Sequence, residues 1–267
     1  MAKHKALILA AGLLFWSGTA SAGALRDFCP DRPGLDTPPC TIDAGHAAIE
    51  VGLADWTLDR GAGARLDAFT FGDTLLRYGV TGTLEVQLGW QALGYMRQRA
   101  AGGAITHDSG IGDITVALRQ NLKNPDGSGF SLAIMPFATL PTGDAAFGAS
   151  DWTAGVILPV SYELPHEFQL AVTGEVDDAA DEAGHGHHLA YRGVAGLAAP
   201  IAGNLSGTLE FALTRDEEPG QRTTELLAGL SLAWDAKKSL QFDAGANLGL
   251  NNRAPDLELY LGVAKRF

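Results

Sequence analysis

Long apolar runs are what this chain of 267 residues most clearly lacks. Beyond residue 16 no stretch comes near the roughly 18 or more consecutive apolar residues that a transmembrane helix requires, although 46% of the residues are hydrophobic. That combination excludes a helical membrane protein and also a disordered chain, which could not carry so much apolar content. Positive charge is scarce as well. Nineteen Lys and Arg face 31 Asp and Glu, a formal net charge of −12. A nucleic-acid partner is therefore not expected, since binding one needs a basic patch or stripe. Two cysteines are too few for a disulfide-rich scaffold or a four-thiolate zinc site. No GxSxG, HExxH, P-loop or CxxC occurs, so no catalytic residue, cofactor or metal ligand set is expected and the chain is not read as an enzyme.

Glycine, by contrast, is plentiful at 34 residues, and the rest of the sequence says why. Lys3 and Lys5 precede the apolar run 6–16, which ends in Ser17, Gly18 and the small tripeptide Ala20-Ser21-Ala22. A basic stretch, a short apolar stretch and an A-x-A site read as a secretory signal peptide over residues 1–22, cleaved after Ala22. Cys29 and Cys40 come next, in CPDRPGLDTPPC. Two cysteines in an exported chain most simply pair with each other. Closing a loop of this length adds roughly 2–3 kcal/mol of local order in the chain-entropy model. Pro30, Pro33, Pro38 and Pro39 stiffen the same loop. Residues 23–45 thus form a disulfide-containing periplasmic segment, expected to cap or partly plug the lower mouth of a barrel formed by residues 46–267.

From residue 46 to 267 the dominant signal has period two. In 205–213, Leu205, Gly207, Leu209, Phe211 and Leu213 lie on one face, with Ser206, Thr208, Glu210 and Ala212 on the other. The same alternation recurs in 239–250, 168–176, 223–234, 83–91 and 111–122. Such alternation marks strands with two different faces. About twelve segments are long enough for tilted membrane-spanning strands. Short connections at 81–82, 165–167, 202–204 and 235–238 alternate with longer polar ones at 97–110, 178–188 and 215–222. Short turns at one rim and longer loops at the other describe a transmembrane antiparallel up-and-down β-barrel, all-β, in the bacterial outer membrane. A soluble sandwich would also alternate, but it would carry its charges on the outer face around an apolar core. Here one face is apolar and nearly uncharged, suited to lipid, while the other mixes small residues, amides and charges. Trp90, Tyr162, Tyr191 and Trp234 lie near strand ends on the apolar face, as interfacial aromatics do. The last strand ends on Phe267, the expected recognition signal for barrel-assembly machinery.

Four segments resemble a known family: residues 29–52 (CPDRPGLDTPPCTIDAGHAAIEVG), 75–90 (LLRYGVTGTLEVQLGW), 110–122 (GIGDITVALRQNL) and 137–143 (FATLPTG). Together they resemble the outer-membrane transporter family associated with the phenol meta-cleavage degradation pathway. The resemblance implies an outer-membrane barrel passing small, often aromatic, molecules inward. It brings no catalytic residues.

Ionisable residues on the polar face are the candidate lumen lining: Glu50, Asp67, Arg77, Glu85, Asp113, Arg119, Glu175, Arg192, Glu210, Glu225, Asp243 and Glu258, with Arg65 beside them. His185, His187 and His188, among Asp177, Asp178, Asp181 and Glu182, read as a solvated polar loop. The leading function is passive uptake of small, neutral, aromatic or hydrophobic solutes through the barrel. The alternatives are a structural or adhesive barrel with a filled lumen and, third, a membrane-embedded hydrolase. The intact mass of the membrane-extracted protein should correspond to a chain beginning at Gly23; a mass retaining residues 1–22 would refute the cleavage site.

Overall fold

The computed structural model describes residues 25–182 and 186–267. The expected signal peptide, its expected cleavage site after Ala22 and His185 lie outside the described residues. The strands are β1 (Ala47–Gly61), β2 (Ala64–Gly79), β3 (Leu84–Arg99), β4 (Ile105–Gly110), β5 (Ile114–Lys123), β6 (Phe130–Leu140) and β7 (Thr153–Glu163). Beyond them run β8 (Gln169–Ala180), β9 (His187–Ala202), β10 (Leu205–Asp216), β11 (Thr223–Lys237), β12 (Leu240–Gly249) and β13 (Leu257–Arg266). The wall is antiparallel throughout, and β1 pairs with β13, so the sheet closes on itself. The β4 and β5 strands both pair with β3, one above the other, and occupy a single position in the wall. The barrel therefore has twelve strand positions. The Phe267 amide donates to the Ala47 carbonyl and extends the closing seam by one bond.

Burial is inverted relative to a water-soluble protein. Glu85, Arg119, Glu210 and Ser131 are wholly buried, whereas Leu230, Phe211 and Trp234 are more than half exposed. The paired register places the exposed set on the outer wall and the buried set inside. Leu209, Phe211 and Leu213 pair with Leu230, Ala228 and Leu226, while Glu210 faces Gly229 and Gly196. A wall of this polarity is stable only where hydrocarbon replaces water outside. Trp90, Tyr162, Tyr191 and Trp234 all lie on the outer wall, exposed.

The region read from sequence as a long loop, 97–110, is instead a hairpin. The β3 strand continues to Arg99, and β4 returns beside it after a five-residue turn, pairing Arg97 with His107 and Arg99 with Ile105. Polar residues on both faces of Ile105–Gly110 hide the alternation there. The β1–β2 connection is tighter still, with Ala62 (φ 48°) and Gly63 (φ 81°) both in the left-handed region that a two-residue hairpin turn requires.

A second departure concerns which way side chains point. Register shifts at Gly52/Ala54 in β1, and around Gly72 and Ala92 in β2 and β3, insert extra residues and reverse the parity above them. Asp67 shares parity with Arg77 in the sequence, yet it pairs with Leu58 on the outer wall. It is covered there by Arg65 (2.6 Å), Arg97 (3.8 Å) and the Trp56 indole (3.3 Å). Asp67 and Arg65 are thus not lumen residues. A bulge of one residue is sufficient to move a strand's whole pattern to the other face.

Leu230→Arg, at the middle of β11 on the outer wall, should destabilise folding into vesicles by about 2–4 kcal/mol, as Arg does at the bilayer midplane. Urea-dependent folding measures this. An unchanged midpoint would mean that β11 does not face lipid.

Candidate functional site

Residues 28–43 lie within the barrel, while Leu25, Asp27, Ala44 and Gly45 on either side of them are exposed. An irregular segment buried there cannot rely on water or on its own regular bonding to satisfy its backbone, so the wall supplies partners for its amides. The four prolines of the disulfide loop have no N–H to satisfy. The Asp31 and Arg32 amides donate to Glu50 (2.9 and 3.0 Å), and those of Leu35 and Asp36 to Glu210 (2.9 and 2.8 Å). The Thr37 amide donates to Thr173 Oγ1 at 3.0 Å, and that of Ile42 to Glu85 at 2.7 Å. Wall carboxylates therefore bind this plug much as an anion is bound by a nest of amides.

Cys29 and Cys40 are joined, and the two ends of their loop are gripped by arginines. Arg77 donates to the Cys29 carbonyl at 2.9 Å and Arg119 to the Cys40 carbonyl at 3.2 Å. Arg77 also makes a two-pronged pair with Glu85 (2.8 and 3.0 Å) and reaches Glu50 at 2.8 Å. Arg119 makes a second two-pronged pair with Asp31 (2.8 and 2.6 Å). Burial acts to raise the Asp31 carboxyl, but Arg119 and Arg77 outweigh it and hold it below its ordinary value. Where β2 meets the plug, Gly79 is obligatory: a Cβ there would overlap the carbonyl oxygens of Ile42 and Asp43.

The other candidates fall into three groups. Asp243 binds Arg32 at 2.9 Å, so it and Glu210 hold the plug's far side. Glu175, Arg192 and Glu225 share one row across β8, β9 and β11, with Thr214 of β10 between the last two. Arg192 also donates to the Leu35 carbonyl at 3.3 Å. Glu258 accepts from Asn247 at 2.8 Å beside Tyr260, above the plug. Asp113 does something else. Its carboxylate accepts from the amides of Thr142, Gly143 and Ala149 (2.9, 2.7 and 2.7 Å), fixing loop 141–152. That loop turns inward, with Phe147 resting where a side chain on Gly94 would otherwise stand. Asp113 shapes the mouth and is committed to loop amides.

Asp31, Arg32 and Asp36 of the plug are not candidates on sequence grounds, nor are Gln87, Asn121 and Asn247 of the wall. The one available signal is an acid–base pair set between prolines, in CPDRPG.

A polar interior within an apolar outer wall is an architecture this chain shares with known proteins. The family model described as "Putative MetA-pathway of phenol degradation" matches residues 30–267. The chain belongs to that family. No curated protein matches its sequence. Among solved structures, it is similar to the NanC porin at 9% identity and TM-score 0.51, covering 82% of this chain and 98% of the other. The KdgM porin, solved with disordered oligogalacturonate, gives 8% and 0.50, covering 83% and 99%. The β domain of the Bordetella autotransporter BrkA gives 13% and 0.52, covering 84% and 100%. Identities this low show the fold: this family member has the barrel of bacterial outer-membrane proteins.

Removing one cation tests the buried network. Arg77→Met leaves Glu50 and Glu85 buried without their partner and should cost about 3–5 kcal/mol. Arg60→Ala, which removes an ion pair whose arginine is 61% exposed, should cost less than about 1 kcal/mol; equal losses in urea titrations would refute the buried network. A second expected outcome concerns pH. Burial, and then the Glu210 carboxylate beside it, push Asp36 up to about 7. The docked plug therefore binds more protons than the released one between pH about 4 and 7. Docking should weaken progressively across that window and level off above it. Exchange of the Leu35 and Asp36 amides, corrected for intrinsic rates, should accelerate from pH 5 to 8 and lose this trend in Asp36→Asn.

Proposed function

We propose that this protein is an outer-membrane channel through which small neutral solutes, hydroxylated single rings among them, pass around the plug. The observation that carries the reading is a pair of cavities on opposite sides of the plug. The upper, about 520 Å³, is bordered by Thr57, Thr70, Asn247, Glu258 and Tyr260. The lower, about 180 Å³, is walled by small residues such as Ala171, Gly196, Ala198 and Ser206. Arg32 and Pro33 border both, so one turn of plug backbone and one guanidinium separate them.

The upper cavity has the size of a small-molecule site. Its amides, hydroxyls and the Tyr260 ring suit a solute with a flat apolar face and one or two hydroxyls. Asp55, Asp73 and Glu258 outnumber the cations there, Arg32 and Arg192, and Arg32 is already paired with Asp243. Low-dielectric walls focus such a field, and acidic linings favour cations and neutral molecules over anions. Phenol-like solutes fit that description and the family's own. The KdgM porin's oligogalacturonate is an anionic chain, and the acidic vestibule here argues against a solute of that kind. We read the polar wall as a passage and not as a catalytic surface, lipid as the surroundings of the outer wall, and Phe267 as the signal for barrel assembly.

The plug's dense hydrogen bonding favours a second reading, a structural barrel with a closed lumen. Liposome swelling with neutral polyols of graded size, and bilayer reversal potentials, separate the two. A channel admits the smaller polyols, prefers cations at low salt, and loses that preference as salt screens the field beyond about 8 Å. Arg32→Ala, which opens the partition, should increase the swelling rate several-fold. No permeation in either the wild-type protein or Arg32→Ala would establish the closed barrel, and anion preference would overturn the assignment of solute class.

A further inference from the structure

We propose that Asp181, His188 and Glu218 form a binding site for a divalent transition-metal ion of the zinc class, which clasps the loops above the barrel. The three residues come from the start of the β8–β9 loop, the start of β9 and the β10–β11 loop, and their ligand atoms converge on one point. His188 Nδ1 lies 2.8 Å from Asp181 Oδ1 and 3.1 Å from Glu218 Oε2. The site is shielded, with side-chain exposures of 7% for His188, 13% for Asp181 and 14% for Glu218.

Proton chemistry alone serves this arrangement poorly. A ring nitrogen carries at most one hydrogen, and here two carboxylate oxygens face the same nitrogen. The other ring nitrogen, Nε2, sits 3.1 Å from a third carboxylate, Asp216 Oδ1. With the proton on Nε2, the Nδ1 lone pair faces two carboxylate oxygens, and the donor that reaches them among the described residues is the Glu182 amide, a long 3.4 Å from Glu218 Oε2. With both nitrogens protonated, one positive charge faces three negative ones. Among the described residues no Lys or Arg forms an ion pair with Asp181, Asp216 or Glu218; Arg215 and Arg222 both pair with Glu217 instead. A divalent cation at the convergence point satisfies three ligand atoms at once.

The donor set selects the class of ion. One imidazole nitrogen and two carboxylate oxygens suit a borderline cation such as Zn²⁺. Zn–N and Zn–O bonds of about 2.0–2.2 Å in a tetrahedron place ligand atoms roughly 3.3 Å apart. The observed 2.8 and 3.1 Å need to open by only a few tenths of an ångström. A fourth position remains for water. Calcium would require six to eight oxygens and leave the imidazole idle. Asp216 Oδ1 lies 3.1 Å from the second ring nitrogen without hydrogen-bonding to it, and a small turn of the ring on binding the ion would give that nitrogen the outer carboxylate that metal-bound histidines have.

The consequence is mechanical. Ser150 Oγ donates to the Asp181 carbonyl at 3.0 Å, which ties loop 141–152 to the same point. The Asp181 amide donates to the Gly186 carbonyl at 3.0 Å and closes the short β8–β9 loop. A bound ion would therefore hold three loops together over the mouth. This inference does not depend on whether the barrel conducts.

The test uses the untagged mature protein, refolded in detergent, stripped with chelator and titrated with ZnCl₂ by calorimetry. The expected result is one Zn²⁺ per chain at micromolar or tighter Kd. His188→Gln and Glu218→Gln should each weaken binding at least tenfold, and His166→Gln, at the opposite rim, should leave it unchanged. Heat-modifiable gel mobility confirms that each variant is folded. In the wild-type protein, zinc should also slow proteolysis within loops 181–186 and 217–222. Absence of saturable binding, equal binding in folded His188→Gln, or Ca²⁺ binding as tight as Zn²⁺ binding would each overturn the proposal.

Discussion

In hydrocarbon no water is available to satisfy a backbone N–H or C=O, and each group left unpaired costs several kcal/mol. The rest of this structure depends on that constraint. It closes the sheet through β1 and β13, so that among the strands only the short β4, above the closed wall, keeps an unpaired edge. Burial inside the barrel imposes a related demand on the plug, which has no regular structure to pair its own amides. Proline removes four of those donors between Cys29 and Cys40, the carboxylates of Glu50 and Glu210 accept four of the six others, and Glu85 accepts the Ile42 amide just beyond. The acids of the wall are therefore structural partners of a peptide before they are features of a pore.

This explains why so many charges can be buried without the usual penalty. A buried ion pair by itself is weak evidence for stability, because desolvation can exceed the Coulombic gain. Here the carboxylates also accept backbone bonds, and the guanidiniums of Arg77 and Arg119 also donate to backbone carbonyls. The network specifies where the plug sits, because a shift of a few ångströms would leave each partner unpaired. The disulfide complements this by limiting the shapes the segment can adopt before it docks.

Much of the fold is legible in the sequence, because a lipid-facing wall imposes strict alternation. That signal locates the strands, their number of positions and the polarity of the two faces, and it places Glu50, Arg77, Glu85, Arg119, Glu210 and Asp243 inside. It fails where the period breaks. Alternation carried through Gly72 puts Asp67 in the interior, whereas an inserted residue there turns the upper half of β2 over. Residues 105–110 give no strand signal because a strand above the bilayer has no apolar face to display. The plug's own contributions, Asp31 and Arg32, are not legible at all. Their partners are up to 211 positions away in the chain, and only closure of the barrel brings the two together.

The plug is not held equally on all sides, and that asymmetry links structure to transport. Toward β1–β5 it meets Arg77, Arg119, Glu50, Glu85 and Asn121, with Asn121 donating to the Pro39 carbonyl at 2.8 Å. Toward β8–β12 it meets Glu210, Asp243, Gln241 and Thr173 at separate points, and between them the wall is built from Ala, Gly and Ser. A wall of small residues leaves space that large ones would fill. The first side behaves as an anchor, since several buried charges would have to separate together for it to open. On the second side, the Arg32–Asp243 ion pair can separate while the anchor remains intact, which removes the guanidinium from the partition between the two cavities. Under the proposed channel reading, a path along β8–β12 needs the Arg32 side chain and the single plug turn at Arg32 and Pro33 to move, and not the whole segment.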